Sequence, residues 1–232
     1  QPAYFTKEKD SKDPIVYVPF QFAVEALDGT YIGYNAKTKT VKAKNLKSYD
    51  ALYKTMDGKS YAVDRYSGNV FSWNGKDKPV KIASIKADNL DSLDFEVRKT
   101  PKGLVLLTIE NWYGEPHINN EQYQLLFKDG KLIRQAYADF GWGRADQTDT
   151  YNGNILLNDS KKLRVIEDGT GNVLNTLDLV KLGNRGSDHS YNVEAMDDDM
   201  LLIRDAKLLY YDLLLVNRHS GRSVTVYKEV LS

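Results

Sequence analysis

Short segments of alternating apolar residues, separated by tight-turn dipeptides, are the feature that most constrains how this chain can fold. Dipeptides such as Asp57-Gly58, Asp129-Gly130 and Asn152-Gly153 stand between consecutive segments. They supply the positive φ angles that two-residue hairpins need. Tyrosine is abundant, at 16 residues, and together with alternating Val, Leu and Ile it favours strands. The pattern therefore predicts a mainly β protein.

From about Tyr49 onward, the segments fall into four successive groups of four predicted strands. The groups read ALYKTM, SYAVDR, VFSWN and VKIASI; FEVRKT, LVLLTI, YQLLFK and LIRQAY; TDTYN, ILLNDS, LRVIED and VLNTLD; and YNVEAM, MLLIRD, LLLVNR and VTVYKE. Four strands per unit, at a period of about 40 to 45 residues, is the signature of a β-propeller. A β-sandwich or a barrel would share many of these signals. We predict a four-bladed, or incomplete five-bladed, β-propeller-like domain over residues 46–232.

The first segment of the chain has a different pattern. Its apolar residues recur at helical spacing at Phe20, Val24 and Leu27, with Pro19 placed for the first turn and a glycine for the end. A strand, a turn and a returning strand are predicted to follow over residues 31–43. This order predicts a small α+β module built from a helix and a hairpin.

Two motifs in this segment carry a family resemblance. They are the pattern V-P-x-x-F-x-x-E-A-L, at Val18, Pro19, Phe22, Glu25, Ala26 and Leu27, and the pattern (W/Y)-(D/N)-A-x-T-K-T-V, at Tyr34, Asn35, Ala36, Thr38, Lys39, Thr40 and Val41. The segment resembles the copper amine oxidase N-terminal-like domain, a stalk module of exported Gram-positive proteins. The resemblance implies a partial stalk module over residues 1–45 and a secreted or cell-wall-associated protein. The usual opening hairpin of that family is missing or altered before Ile15.

Copper chemistry is not expected in spite of that resemblance. The quinone of a copper amine oxidase forms at a Tyr in an Asn-Tyr-Asp/Glu context, and this sequence has no such tripeptide. Its three histidines, His117, His189 and His219, lack ligand-like spacing. We therefore predict no metal site and no cofactor.

Composition excludes several classes of function. The 32 basic and 32 acidic residues balance, so no basic excess points to nucleic acid. No apolar run approaches the roughly 20 residues that span a bilayer. The absence of cysteine excludes disulfides and thiolate chemistry. The partners that we expect are a cell-wall glycan or a surface protein.

Three long predicted loops supply the candidate site. They are Glu110–Glu121, Asp139–Gln147 and Leu182–Ser190, and strand order places all three on one face of a propeller. The candidate ligand-binding residues in them are Trp112, Tyr113, Glu115, His117, Trp142, Arg144, Asp146, Arg185, Asp188 and His189. Exposed aromatics beside arginines and carboxylates suit glycan stacking, peptide docking or protein contact. Alternatively, the two tryptophans plug the mouth of the propeller.

Binding rather than catalysis is the expected function. We predict a secreted or cell-surface, non-catalytic binding or scaffold protein that recognises a glycan, peptide or protein. The alternative is a hydrolase or lyase that uses loop carboxylates and a histidine, although the sequence carries no Gly-x-Ser-x-Gly, phosphate-loop or His-Glu-x-x-His motif. A third possibility is a structural spacer. We expect His189 to be a surface histidine with satisfied hydrogen bonds, and residues 197–199 to form a solvated turn.

Overall fold

The computed structural model of the chain describes residues 4–6, 15–17, 19–26, 29–44, 51–86, 90, 92–114, 119–141, 148–206 and 213–226. The chain divides into two compact units, Gln1–Asp50 and Ala51–Ser232. Strands dominate the described residues, so the protein is mainly β, as predicted.

The first unit contains two strand pairs and one helix. Strand β1 (Tyr4–Thr6) pairs antiparallel with β2 (Ile15–Tyr17), helix α1 spans Phe20–Ala26, and β3 (Thr30–Asn35) pairs with β4 (Thr40–Lys44). The predicted helix and hairpin are confirmed. A strand pair also precedes the helix, where the opening hairpin was expected to be missing or altered.

The second unit contains four four-stranded antiparallel sheets, each with its strands paired in chain order. Sheet I comprises β5 (Ala51–Met56), β6 (Lys59–Asp64), β7 (Asn69–Asn74) and β8 (Val80–Ser84); sheet II comprises β9 (Ser92–Lys99), β10 (Val105–Tyr113), β11 (Asn119–Lys128) and β12 (Lys131–Gly141). Sheet III comprises β13 (Thr150–Tyr151), β14 (Asn154–Asn158), β15 (Lys162–Ile166) and β16 (Val173–Asp178); helix α2 (Leu179–Gly183) follows it. Sheet IV comprises β17 (Tyr191–Met196), β18 (Met200–Asp205), β19 (Leu213–Asn217) and β20 (Ser223–Thr225). The four predicted groups of four strands are confirmed.

The predicted turn chemistry explains why these hairpins are tight. At the β11–β12 turn, Asp129 and Gly130 have φ values of 50° and 76°, and at the β13–β14 turn Asn152 and Gly153 have values of 47° and 74°. Asp and Asn tolerate this left-handed conformation better than other residues with side chains, and glycine adopts it without cost. Each dipeptide therefore reverses the chain at a fixed position in the strand register.

Three apolar clusters hold consecutive sheets together. Sheets I and II share Tyr61, Val63, Val70, Phe95, Ile109, Tyr123, Leu125 and Phe127. Sheets II and III share Leu104, Leu106, Leu126, Ile155, Leu157 and Ile166. Sheets III and IV share Leu156, Leu163, Val165, Val193, Leu201, Ile203, Leu214 and Val216. Each sheet therefore buries apolar side chains against its neighbour in the chain.

Buried amides add directional bonds between sheets II, III and IV. The Gln124 side chain accepts from the Asn158 backbone N–H at 2.9 Å. The Asn158 amide in turn donates to the Tyr191 carbonyl at 2.9 Å and accepts from the Ser160 N–H at 2.8 Å. Gln124 and Asn158 are at most 2% exposed, so each broken bond would leave a desolvated polar group. These bonds fix the positions of sheets II, III and IV relative to one another.

Replacing Asn158 tests how much this network stabilises the protein. We expect Asn158→Ala to lower the free energy of unfolding by about 2 to 3 kcal/mol, because it leaves buried backbone groups without partners. Asn175→Ala is the matched control: Asn175 is exposed on β16, and its loss should cost less than about 0.5 kcal/mol. Urea unfolding of the two variants measures the difference, and equal losses would contradict the proposed role of the network.

Candidate functional site

In each four-stranded sheet, the loop between the second and third strands and the connection that leaves the fourth strand lie at the same end, which we call the exit end. A cavity of about 710 Å³ lies at the exit ends of sheets II, III and IV. The lining residues are Asn119, Tyr137, Asp139, Phe140 and Gly141 of sheet II, Asp159, Ser160 and Lys161 of the β14–β15 loop, and Asp188, Ser190 and Ala206 near sheet IV. Strand ends and short connections that are distant in sequence therefore form one site.

The wall from sheet II is a long hairpin rather than a loop. Pairing of β10 with β11 continues to Tyr113 and Asn119, so the predicted loop Glu110–Glu121 is wrong at both ends. The predicted loop Asp139–Gln147 is wrong at its start, because β12 extends to Gly141. This end of the hairpin is held by polar pairs such as Asn111 and Glu121, whose side chains bond at 2.8 Å. A hairpin built from polar pairs lacks the apolar alternation that predicts a strand.

Glu121 is a buried carboxylate that bonds to two tyrosines in this wall. It is 6% exposed, and it accepts hydrogen bonds from the Tyr123 hydroxyl at 3.1 Å and the Tyr137 hydroxyl at 2.7 Å. Burial, together with the neighbouring Glu121 carboxylate, raises the pKa of both tyrosines well above the usual value. Both phenols therefore stay protonated as donors. Tyr137 is 40% exposed and lines the cavity.

The wall from sheet III is the short β14–β15 loop. Asp159 Oδ1 accepts from the backbone N–H groups of Lys161 and Lys162, at 3.1 and 2.7 Å. Ser160 has a φ of 67°, which its bond to the Asn158 side chain supports. The Lys161 ammonium donates to the Ser187 carbonyl at 2.9 Å and to the His189 carbonyl. The lysine thus ties this loop to the connection that enters sheet IV.

The wall near sheet IV contains a fully buried carboxylate. Asp205 Oδ2 lies 2.6 Å from His189 Nδ1 and 3.6 Å from Arg185 Nη1, and the Asp205 side chain is 0% exposed. Because a carboxylate only accepts, the imidazole donates from Nδ1. His189 Nε2 then lies 3.9 Å from Asp188, which lines the cavity. His189 is satisfied, as expected, through its bond to Asp205, but its side chain is 19% exposed and therefore lies partly buried rather than on the surface.

Helix α2 positions this connection. Asp178 caps its first turn by accepting from the Lys181 N–H at 2.9 Å, and Asn184 ends it in a left-handed conformation. The ring of Tyr191 packs directly on the backbone of Gly183, where an added Cβ would lie 2.3 Å from the ring. The predicted loop Leu182–Ser190 therefore begins inside a helix, and only glycine fits at that contact.

Only some of the predicted site residues lie at or beside the cavity. Asp188 lines the cavity, and Arg185 and His189 bond to Asp205 beside it. Trp112 and Tyr113 lie at the exit end of sheet II, partly buried rather than exposed. The others, Glu115, His117, Trp142, Arg144 and Asp146, lie outside the described residues.

Sequence reasoning missed Tyr137, Asp139, Asp159, Lys161 and Asp205. Strand order was an available signal. It places the loop between the second and third strands of every group at the exit end, and the short β14–β15 loop is such a loop. Loop length was the wrong criterion, because a short loop can line a cavity as well as a long one. Residues 197–199 are exposed in the turn between β17 and β18, as expected.

Two kinds of feature are absent from the described part of the chain. No group of three or more His, Cys, Asp or Glu side chains there could hold a metal ion. No helix there is long and apolar enough to cross a membrane.

Comparison with known proteins gives distant likenesses. No protein-family model and no curated protein matches the sequence. A protein of unknown function from Bacteroides caccae aligns with 86% of this chain and 73% of its own, at 16% identity and a TM-score of 0.29. A puromycin-hydrolyzing peptidase from Mycobacterium tuberculosis aligns with 79% of this chain and 31% of its own, at 14% identity and a TM-score of 0.38. Likenesses this low carry no argument about function.

The two histidine–aspartate pairs of sheet IV allow a matched stability test. We expect Asp205→Asn to lower the free energy of unfolding by about 3 kcal/mol, because it removes a buried charge from two partners. Asp199→Asn should cost less than about 0.5 kcal/mol, because the Asp199–His219 pair is exposed at 76% and 70%. Urea unfolding of both variants is the measurement. Similar losses would show that burial does not strengthen the inner pair.

Alkaline pH should weaken the fold through the buried tyrosines. Burial, and next the charge of Asp205, raises the pKa of Tyr191 to about 12, whereas an unfolded tyrosine ionises near its ordinary value of 10. The unfolded chain therefore loses this proton first, so the stabilisation is present below about pH 10 and is lost as pH rises towards about 12. Denaturant unfolding at about pH 8 and about pH 11 measures the fall. Tyr191→Phe should show a smaller fall than the unaltered protein; an identical fall would contradict this assignment.

Proposed function

We propose that this protein is a non-catalytic binding or scaffold protein that takes part of a glycan, peptide or protein into the cavity at the exit ends of sheets II to IV. The observation that carries the proposal is the convergence of strand ends of sheet II and short connections of sheets III and IV on one space of about 710 Å³. That volume falls within the range of about 300 to 1,000 Å³ found for ligand pockets.

The walls of the cavity favour binding because they are held in place. Glu121 fixes the hydroxyl of Tyr137, backbone N–H groups fix Asp159, and Asp205 fixes His189. Side chains held in this way lose little conformational freedom when a ligand arrives, which is the advantage of preorganisation. The accessible groups combine an aromatic ring with carboxylates, an amide and hydroxyls, which suits a polar ligand with an apolar or stacking face.

We further propose a propeller-like arrangement of the four sheets, four-bladed or incomplete five-bladed. Three pairs of consecutive sheets share apolar clusters, and every sheet has the same strand order. Both features are expected of blades. The motifs around Pro19 and Asn35 support a stalk-like role for the first unit, and with it a secreted or cell-wall-associated location in a Gram-positive bacterium.

A hydrolase or lyase is the second candidate, and one observation favours it. The Asp205–His189 pair places Nε2 on the side of Asp188, which is the arrangement of a histidine oriented for acid–base work. Binding ranks first because the described residues do not place a nucleophile within hydrogen-bond distance of Nε2. Turnover of a bound glycan or ester, abolished in His189→Ala, would reverse this ranking.

A cavity variant tests the proposal. Peptides selected from a displayed random library, and soluble peptidoglycan fragments, are measured against the unaltered protein by calorimetry. We expect Tyr137→Ala to weaken any such binding about tenfold or more, since it removes the aromatic wall of the cavity. Tyr53→Ala is the control, because Tyr53 is 72% exposed on β5, outside the cavity.

The circular dichroism spectrum and the unfolding midpoint of each variant establish that it is folded. Ligands that bind the Tyr137 variant as tightly as the unaltered protein would show that recognition takes place elsewhere. A protein that binds no member of either panel would contradict the binding function itself.

A further inference from the structure

We propose that the occupant of this cavity is a cationic side chain, the guanidinium or ammonium group of an arginine- or lysine-bearing peptide. This inference rests on the proposed binding function and names its ligand class. It follows from the balance of charges and of hydrogen-bond donors in the cavity wall.

The wall carries more negative than positive charge. Asp139 near the end of β12, Asp159 in the β14–β15 loop and Asp188 before β17 line the cavity, and Lys161 is the only cation among the described lining residues. The Lys161 ammonium already donates to the carbonyls of Ser187 and His189. It therefore serves to hold the wall together and does not offset the carboxylates by pairing with one of them. A ligand that brings positive charge would complement this surface.

Hydrogen-bond donors are scarce in the same wall. Tyr137 donates its hydroxyl proton to Glu121, behind the cavity. The remaining side-chain donors of the described lining are the Asn119 amide, the hydroxyls of two serines and the third N–H of the Lys161 ammonium, whose other two bond to carbonyls. A sugar hydroxyl both donates and accepts, so glycan recognition normally uses both kinds of partner. Guanidinium and ammonium groups only donate, and they match a wall that is rich in acceptors.

The carboxylates are also oriented for this role. Gly141 donates its backbone N–H to Asp139 Oδ1 at 2.9 Å, and two backbone N–H groups of the β14–β15 loop bond Asp159 Oδ1. No described residue donates to Oδ2 of either carboxylate. Each side chain is thus fixed through one oxygen and can present the other, which is the geometry for charge-assisted bonds to a ligand cation.

The exposed ring of Tyr137 supplies a third interaction. A cation placed over an aromatic face within about 6 Å of its centre is attracted by the electrons of the ring. Tyr137 is 40% exposed and lines the cavity together with Asp139, while its ring centre lies 4.8 Å from that of Tyr123. An arginine side chain can stack its planar group on such a face while it donates to carboxylates at the edge.

Two peptides that differ in charge test this inference. Acetylated and amidated tri-arginine is compared by calorimetry with the matched tri-citrulline peptide, whose neutral urea groups replace the guanidinium groups, and with the neutral glycan chitotriose. We expect the arginine peptide to bind at least about tenfold more tightly than either neutral probe. We also expect its affinity to fall as salt rises, because screening weakens charge pairs.

Isosteric variants locate the interaction in the cavity. Asp139→Asn with Asp159→Asn keeps Oδ1 as an acceptor and removes both charges, so the loops should keep their shape. We expect this double variant to lose about tenfold in affinity for the arginine peptide, with a smaller loss for each single change. Asp129→Asn is the matched control, because Asp129 lies in the β11–β12 turn at the opposite end of sheet II.

The possible outcomes separate this inference from the proposed function. Equal binding of the arginine and citrulline peptides, or an unchanged affinity in the double variant, would overturn the cationic ligand. Preferential binding of chitotriose would overturn it too, and would leave the binding function intact with a neutral glycan as ligand. Failure of all three probes would also overturn it, while the library and peptidoglycan panels decide the binding function independently.

Discussion

Hydrogen bonds from buried amide side chains to the backbone of the next sheet are the constraint on which the rest of the second unit depends. Apolar clusters hold the sheets together, but burial of apolar surface has no direction, so it does not by itself set how one sheet is placed on another. The bonds through Gln124 and Asn158 do set that placement, because each bond joins one particular donor to one particular acceptor at a fixed distance. They run from sheet II through sheet III to the first residue of sheet IV.

The opposite end of sheets II and III is joined in the same manner. Asp168, in the turn after β15, is 2% exposed and accepts from the Thr100 hydroxyl and from the Lys102 N–H at 2.8 Å. These two residues lie in the connection between β9 and β10. Sheets II and III are therefore bonded to each other at both ends, which restricts their rotation against one another.

This arrangement buries polar groups at the exit end, and their removal from water costs free energy. Glu121 and Asp205 are charged groups with little or no exposure, and each needs several donors to remain there. The tyrosines around Glu121 and the histidine and arginine beside Asp205 supply them. An apolar wall would be easier to stabilise, so a concentration of costly polar groups beside one cavity is what a site built for a polar ligand requires.

The sequence alone determined the mainly β character, the four groups of four strands, and the helix and hairpin of the first unit. These depend on local chemistry: Asp129-Gly130 favours a tight turn between two strand-forming segments, and alternating apolar residues favour a strand. The tertiary structure decided which side chains meet. The Asp205–His189 pair joins the end of β18 to the connection before β17, and no local pattern relates the two. The paired polar residues Asn111 and Glu121 lack the apolar alternation that predicts a strand, so the ends of β10 and β11 could not be predicted. Contacts between distant segments depend on how the sheets pack, and only the folded chain fixes that packing.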